Sequence, residues 1–253
     1  MLLVFFGLST VAGAVMLELH AGLFQVALLW GLGLTLAIAV AWQSGAHLNP
    51  AMTLAFATLQ GFSWKKVPVY IGAQLLGALL GALLMYCLFS GVIEAYELAN
   101  QIDRGGRGSE LSSMMFGEYY PNPAMLAGGM DFLLGVGTVQ ALSAEILGTA
   151  VLAFVIFTLS KYGAVFPQWV VYIMIGMTLT VLIAIMAPFS MAGFNPARDL
   201  MPRLLACVLG WGDVVFSYNG HGWWLVYIVG PILGAQLGGA CFGLINTPSK
   251  KSQ

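Results

Sequence analysis

The sequence predicts an all-α membrane protein with six transmembrane helices and two re-entrant half-helices arranged as an inverted repeat. Three observations predict this fold. Of the 253 residues, 60% are hydrophobic and only 8% are charged, whereas a soluble domain carries about a quarter charged residues. Six segments are apolar and long enough to cross a bilayer, while two others are apolar but too short. Each short segment opens with Asn-Pro-Ala, at Asn49 and at Asn195.

The six predicted spans follow the apolar stretches of the chain. They cover residues 1–17, 25–41, 67–89, 141–159, 169–187 and 224–245. The one long polar stretch, residues 94–120, separates the third span from the fourth, and we expect it to lie outside the hydrocarbon.

The Asn-Pro-Ala motifs predict half-helices over residues 51–59 and 197–209. Asn is a favoured N-cap, and Pro suits the first turn of a helix, where its missing N–H costs nothing. The free N–H groups and the positive dipole end of each half-helix must then face a polar partner. A third copy begins at Asn122, at the end of the polar stretch and without a complete span immediately ahead of it, and we interpret it as an ordinary turn. The predicted motif residues at the pore midplane are Asn49, Pro50, Ala51, Asn195, Pro196 and Ala197.

Internal repetition supports two matching halves. Residues 72–78, which follow the first half-helix, recur as residues 234–240 after the second, and residues 33–39 resemble residues 176–182. Small residues at a spacing of four are common in membrane helices, but two matches in the same order favour a repeat. Because each copy holds three spans, the second must enter the membrane from the opposite side. We predict one channel domain over residues 1–253, with repeats at 1–93 and 141–253 and an extracytoplasmic loop at 94–140.

The distribution of basic residues predicts the orientation. Lysines concentrate in loops that six spans place on one side of the membrane, and the arginines of the polar stretch fall on the other side, among acidic residues. The rule that cytoplasmic loops are rich in Lys and Arg therefore predicts an integral protein of the cell (inner) membrane with both termini cytoplasmic. The lysines are Lys65, Lys66, Lys161, Lys250 and Lys251, and the arginines are Arg104 and Arg107.

Three ionisable residues fall near membrane depth, where such groups are functional hypotheses by default. We expect Arg198 to bind a polar solute and to repel cations, including hydronium; the alternative is an ion pair with Asp199, but neighbours on a helix do not face each other. We expect His47 to hydrogen-bond the backbone of the first re-entrant loop, with pore lining as the alternative. We expect Glu145 to accept hydrogen bonds from loop N–H groups, with a proton relay as the alternative.

These motifs resemble the major intrinsic protein (aquaporin) family, and in particular its glycerol-facilitator (aquaglyceroporin) branch. The resemblance covers nearly the whole chain. It is carried by residues 44–51, 120–123, 144–149, 195–199 and 210–212. Asp199 after the arginine, together with the two long loops, favours the glycerol branch. The resemblance implies an aquaporin-like fold, a homotetramer with one pore per subunit, and neither a cofactor nor a metal.

The resemblance also implies a narrow filter built from Trp30, Ile183, Ala192 and Arg198. An aromatic face at Trp30 suits a glycerol pore, because it can hold the carbon backbone while Arg198 binds the hydroxyls. Ala192 stands where glycerol pores commonly have an aromatic residue, and Ile183 where they commonly have Gly. The family's Glu-containing motif in the first span has no match, so either the start is truncated or Glu145 suffices, and we expect the first loop to lack a partner for its backbone.

We predict a passive channel for small uncharged solutes, chiefly glycerol and water, that excludes protons and ions and lies in the lipid bilayer. A channel selective for water, urea or a metalloid acid is an alternative. A coupled transporter is a further one, and would need a titrating group such as Glu145, Glu18 or Asp131. A net charge of −1 gives no indication of nucleic acid as a partner, and no nucleophile–base pair or metal cluster in a span indicates an enzyme.

Overall fold

The computed structural model describes residues 1–20, 22–218 and 220–246, and over these residues the chain is helical without any strand. Short helices occupy the loops at Glu110–Ser113, Pro123–Ala127 and Val214–Ser217. The eight principal helices are α1 (Leu2–Leu17), α2 (Leu23–Ala41), α3 (Pro50–Leu59), α4 (Val67–Ala99), α5 (Thr138–Tyr162), α6 (Gln168–Ser190), α7 (Pro196–Ala206) and α8 (Gly230–Asn246).

Five helical segments of the described chain are long and apolar enough to cross a membrane, namely those containing α2, α4, α5, α6 and α8. Helix α1 has 16 residues, fewer than the roughly 20 that a span usually needs. It packs against α2 and α4, so it joins the bundle through its contacts rather than through its length. Lys250 and Lys251, on which the predicted orientation partly depends, lie outside the described residues.

The third predicted span ends too early. Helix α4 continues past Phe89 to Ala99, so the polar stretch begins inside a helix rather than in a loop. The helix can carry Glu97 because the carboxylate of that residue is paired with Arg104 at 2.7 Å and accepts a hydrogen bond from Ser112. The second half-helix is likewise shorter than predicted: α7 ends at Ala206 and a π-helical turn, Cys207–Trp211, follows it.

Both half-helices begin with the same cap. The Oδ1 atom of Asn49 accepts the N–H of Ala51 at 2.9 Å, and the Oδ1 atom of Asn195 accepts those of Ala197 and Arg198 at 3.1 and 3.3 Å. The proline after each asparagine occupies the first helical position. Each cap therefore satisfies part of the orphan N–H groups that a helix start leaves.

The third Asn-Pro-Ala copy uses the same chemistry in another place. Asn122 caps the five-residue helix Pro123–Ala127, with its Oδ1 atom accepting the N–H groups of Ala124 and Met125. This helix lies in the loop between α4 and α5. The capping signal is thus local, and its position between spans decides whether it starts a membrane half-helix.

The helices pack in two matching sets. Helix α1 packs against α2 and α4, and α5 packs against α6 and α8, while α2 and α6 join the two sets. Each half-helix packs against a long helix of the other set: α3 packs against α8, and α7 packs against α4. The two half-helices also contact each other.

Glycines allow the closest helix contacts. A Cβ atom at Gly238 would overlap the carbonyl oxygen of Ala150 on α5, and one at Gly31 would overlap the backbone of Gly176 on α6. Both overlaps involve backbone atoms of the facing helix, so side-chain movement alone cannot relieve them. Small residues at these positions let membrane helices approach closely.

We expect Gly238→Ala to destabilise the protein by about 1–3 kcal/mol, because overpacking forces α8 away from α5. Gly72→Ala is the matched control, since a Cβ atom there meets no atom within 4 Å and Ala is the better helix former. Thermal unfolding of both variants in detergent is the measurement. Equal melting temperatures would show that the α5–α8 contact can relax.

Candidate functional site: a pore between two half-helices

A cavity of about 370 Å³ runs along the tips of the two half-helices. Of the predicted site residues, the Pro and the Ala of each Asn-Pro-Ala motif do not line this cavity but form the first helical turn behind the asparagine. Glu145 also lies outside the cavity. Seven predicted site residues line it: Trp30, His47, Asn49, Ile183, Ala192, Asn195 and Arg198.

The two asparagines tie the half-helix loops to each other. The Nδ2 atom of Asn49 donates to the carbonyl of Phe194 at 2.7 Å, and the Nδ2 atom of Asn195 donates to the carbonyl of Leu48 at 2.8 Å. A side-chain amide carries two N–H donors, so each asparagine keeps one that this reciprocal pair does not use. The loops therefore meet tip to tip, with amide donors at their junction.

The two loops also share an unusual backbone. Ala46 and Leu48, three and one residues before the first Asn, have φ values of 48° and 51°. Ala192 and Phe194, at the same offsets from the second Asn, have φ values of 66° and 53°. Left-handed conformations cost an L-residue roughly 1–2 kcal/mol each, so the surrounding contacts must hold both loops in this shape.

Glu145 holds the second loop. Its side chain is fully buried in α5, and its carboxylate accepts the N–H groups of Gly193 at 2.9 Å and Phe194 at 2.7 Å, together with the hydroxyl of Ser190 at 2.7 Å. These are N–H groups that a re-entrant loop cannot pair with itself. Three donors on one carboxylate also offset much of the cost of burying it.

The hydroxyl group of Thr53 connects the first loop with the start of α3 and with α4. Thr53 donates to the carbonyl of Asn49 at 3.1 Å, and Gln74 donates to the Thr53 oxygen at 2.9 Å. The expected bond from His47 to the loop backbone is not formed, since its Nδ1 atom lies 3.1 Å from the Thr53 oxygen instead. The reason is aromatic packing: the imidazole stacks on Phe56 with centroids 4.6 Å apart, which turns it toward α3. His47 thus supports the loop indirectly.

Arg198 lies at the wall of the cavity and is only 2% exposed. Its Nη2 atom forms an ion pair with the Oε1 atom of Glu118 at 2.5 Å, and its Nη1 atom donates to the carbonyl of Phe116 at 3.4 Å. The guanidinium also lies over the indole of Trp30, 4.8 Å from the ring centroid. Arg198 does not pair with Asp199, in agreement with the expectation that sequence neighbours on a helix point apart.

The indole of Trp30 also packs against a glycine of α1. A Cβ atom at Gly7 of α1 would overlap the six-membered ring of the indole, so the ring lies directly on the α1 backbone. Ile183 and Ala192 line the same cavity and are both buried. The four filter positions implied by the family resemblance are therefore brought to one cavity, with a single aromatic side chain among them.

Sequence reasoning missed two residues, Glu118 and Arg203. Arg203 is buried in α7, pairs with Asp199 at 2.7 Å, and donates to the carbonyls of Glu118 and Val215. Its guanidinium also faces the rings of Tyr119, Trp223 and Tyr227. The loop between α4 and α5 that carries Glu118 is thereby attached to the half-helix that carries Arg198. A spacing of four from Asp199 to Arg203 was the one signal that could have indicated this pair.

Comparison with known proteins identifies the family of this chain. The model of the major intrinsic protein family matches residues 1–242. The glycerol uptake facilitator protein of Pseudomonas aeruginosa is 37% identical over 240 residues, which are 94% of this chain and 82% of that protein. The propanediol uptake facilitator of Citrobacter freundii is 35% identical over 245 residues, 95% of this chain and 86% of that protein.

A solved structure has the same fold. The X-ray structure of the aquaglyceroporin from Plasmodium falciparum superposes with a TM-score of 0.77, covering 94% of this chain and 89% of that one at 24% identity. The similarity extends over nearly the whole helical bundle described above. The chain therefore belongs to the major intrinsic protein family, and it is a membrane channel rather than an enzyme.

Proposed function

We propose that this channel carries small uncharged solutes passively, with glycerol as the main solute and water as a second one. The observation that supports this most strongly is that one cavity combines N–H donors with apolar walls. Asn49, Asn195 and Arg198 supply donors, and Trp30 and Ile183 supply apolar surface. A polyol can bind its hydroxyls to the donors while its carbons contact the apolar side chains.

The relatives support the solute class. They are described as uptake facilitators for glycerol and for propanediol. Both solutes are three-carbon chains with more than one hydroxyl group. A site with several separated donors and an apolar wall suits this chemistry better than it suits an ion, which would lose its hydration without charged ligands in return.

We propose that the junction of the half-helices excludes protons and cations. The N-termini of α3 and α7 both face this point, so their positive dipole ends add there. The unused N–H donors of Asn49 and Asn195 can bind one solute oxygen at a time. A water molecule held in this way cannot pass a proton along a continuous wire, and a cation meets a positive barrier.

We further propose that the protein is a homotetramer in the cell membrane with both termini cytoplasmic. Each subunit then consists of two repeats, residues 1–93 and residues 141–253. The matched backbone of the two loops supports the repeats. Three lysines on one set of loops support the orientation, namely Lys65, Lys66 and Lys161. Exposed leucines on α2 and α4, including Leu36 and Leu83, offer surface to lipid or to a neighbouring subunit.

The test is stopped-flow light scattering on proteoliposomes, comparing an inward glycerol gradient with an equal gradient of an impermeant osmolyte. We expect shrinkage followed by fast reswelling under glycerol only. Water flux without glycerol flux would indicate that Ile183 and Ala192 have made the filter selective for another solute, with urea and metalloid acids next to be assayed. Accumulation of glycerol against its gradient when a proton gradient is applied would establish a coupled transporter instead.

Trp30→Ala should reduce discrimination among polyols, because the indole is the one aromatic wall of the predicted filter and its loss enlarges the opening beside Arg198. The measurement is the ratio of glycerol to erythritol permeability in the same vesicles, which we expect to fall by roughly tenfold. Trp64→Ala is the control, since Trp64 is an exposed residue of the loop before α4. An unchanged ratio in Trp30→Ala would place the filter elsewhere.

A further inference from the structure

A buried acidic residue faces the filter arginine from outside the spans. Glu118 lies in the loop between α4 and α5, yet it is only 2% exposed. Its Oε1 atom lies 2.5 Å from the Nη2 atom of Arg198, and both side chains are 3% exposed. At this burial an ion pair is screened little by solvent, so Arg198 does not act as a free positive charge.

The backbone of Glu118 is held at both ends. Its N–H donates to the Oδ1 atom of Asp199 at 2.8 Å, and its carbonyl accepts a hydrogen bond from Arg203. Its Cγ atom would lie 3.2 Å from a Cβ atom at Gly193, on the second re-entrant loop. The carboxylate is thus directed at Arg198 by contacts that do not depend on the ion pair itself.

The charges around Glu118 can be followed from each neighbouring element. Helix α7 contributes Arg198, Asp199 and Arg203, α5 contributes Glu145, and Tyr227 precedes α8. Asp199 and Arg203 neutralise each other at 2.7 Å, which leaves Glu118 as the partner of Arg198. Burial raises the pKa of Glu118 above its ordinary value, and the positive charge of Arg198 opposes that rise.

We propose that Glu118 is a further selectivity-determining residue: it neutralises Arg198, so that the filter donates hydrogen bonds to uncharged solutes without attracting anions. This inference rests on the proposed channel function. Without the carboxylate, a buried guanidinium beside the cavity would be an unpaired positive charge that attracts anions, as the Arg and Lys rings of anion pores do. With the carboxylate, the pair is neutral and its remaining N–H groups still serve as donors.

The decisive variant is Glu118→Gln, which keeps the size and the acceptor oxygen but removes the charge. We expect chloride entry to rise about tenfold, since the change leaves Arg198 unpaired in a medium of low dielectric constant. Glu118→Asp keeps the charge and should stay near the unmodified protein. Glu110→Gln is the matched control, because Glu110 lies in the same loop and bonds the N–H of Gly108 instead of Arg198.

The probe is chloride, followed with a halide-quenched dye inside proteoliposomes, and glycerol reswelling is recorded on the same vesicles. Raised chloride entry in Glu118→Gln, absent from Glu118→Asp and Glu110→Gln, supports the proposal. Chloride entry equal to that of the unmodified protein, with glycerol flux retained, overturns it. If the unmodified protein passes no glycerol but this chloride pattern holds, the proposed function fails and the charge assignment stands.

A pH series gives a second measurement if Glu118→Gln does not fold. Burial raises the pKa of Glu118 to about 8. Acidification through that pH removes the negative charge, so chloride entry into vesicles with the unmodified protein should rise as the pH falls from about 10 to about 6. Arg198→Gln should abolish this rise, because the remaining positive charge, that of Arg203, is paired with Asp199. A flat profile in the unmodified protein, or an unchanged rise in Arg198→Gln, contradicts the proposal.

Discussion

Arg198→Val should increase proton and cation leak by roughly tenfold or more while uncharged solutes still pass. The variant does two things at once. It removes the positive charge at the cavity wall, and it leaves the buried carboxylate of Glu118 without its partner at 2.5 Å. An ionised carboxylate beside the cavity attracts cations, and because burial raises the pKa of Glu118 while Arg198 opposes that rise, this part of the effect should grow as the pH is raised. The measurement is the decay of a pH gradient across proteoliposomes, alongside glycerol reswelling.

The double variant Glu118→Gln with Arg198→Val separates the two contributions. If the leak comes mainly from the uncompensated carboxylate, the double variant should leak less than Arg198→Val alone. A leak of equal size in both variants would assign the barrier to the arginine charge by itself. An unchanged leak in Arg198→Val would exclude the residue from the filter.

Arg203→Met should have the largest effect on stability. Arg203 is 1% exposed, and its removal leaves Asp199 buried without its partner and leaves two backbone carbonyls without their donor. Breaking a buried ion pair by deleting one member costs about 3–5 kcal/mol. We expect a large drop in the thermal unfolding temperature in detergent and loss of the loop position that carries Glu118.

Two comparisons test this explanation. Arg107→Met alters an exposed arginine of the loop between α4 and α5 and should be nearly neutral. Asp199→Asn combined with Arg203→Met removes both charges and should be less destabilising than Arg203→Met alone, because no buried charge is left unpaired. A double variant as unstable as the single one would assign the stabilisation to the carbonyl and aromatic contacts of Arg203 instead.

Several parts of the fold could be predicted from the sequence because their signals are local. Hydropathy identifies the spans, and Asn-Pro at a helix start satisfies the cap within two or three residues, as the bonds of Asn49 and Asn195 do. Helix ends were less predictable. Helix α4 extends to Ala99 because Glu97 is paired with Arg104, and a hydropathy argument treats such a residue as outside the helix.

The pore itself combines local and distant contributions. The repeat and the family resemblance indicated which residues converge, and the structure brings Trp30, Ile183, Ala192 and Arg198 to one cavity. The orientation of His47 was not predictable, since aromatic packing against Phe56 competes with bonding to the backbone. The residues next to His47 in the sequence are compatible with either of these two orientations of its imidazole.

The sequence by itself determined that the chain is a membrane bundle with two capped half-helices, because burial and capping depend on composition and on neighbours along the chain. Only the tertiary structure decided which charges face each other. The local sequence around an acidic residue in a polar loop does not show whether its side chain lies in water or packs against an arginine of a half-helix, as that of Glu118 does against Arg198. Glu118 does the latter, because Asp199 and Arg203 hold its backbone against α7.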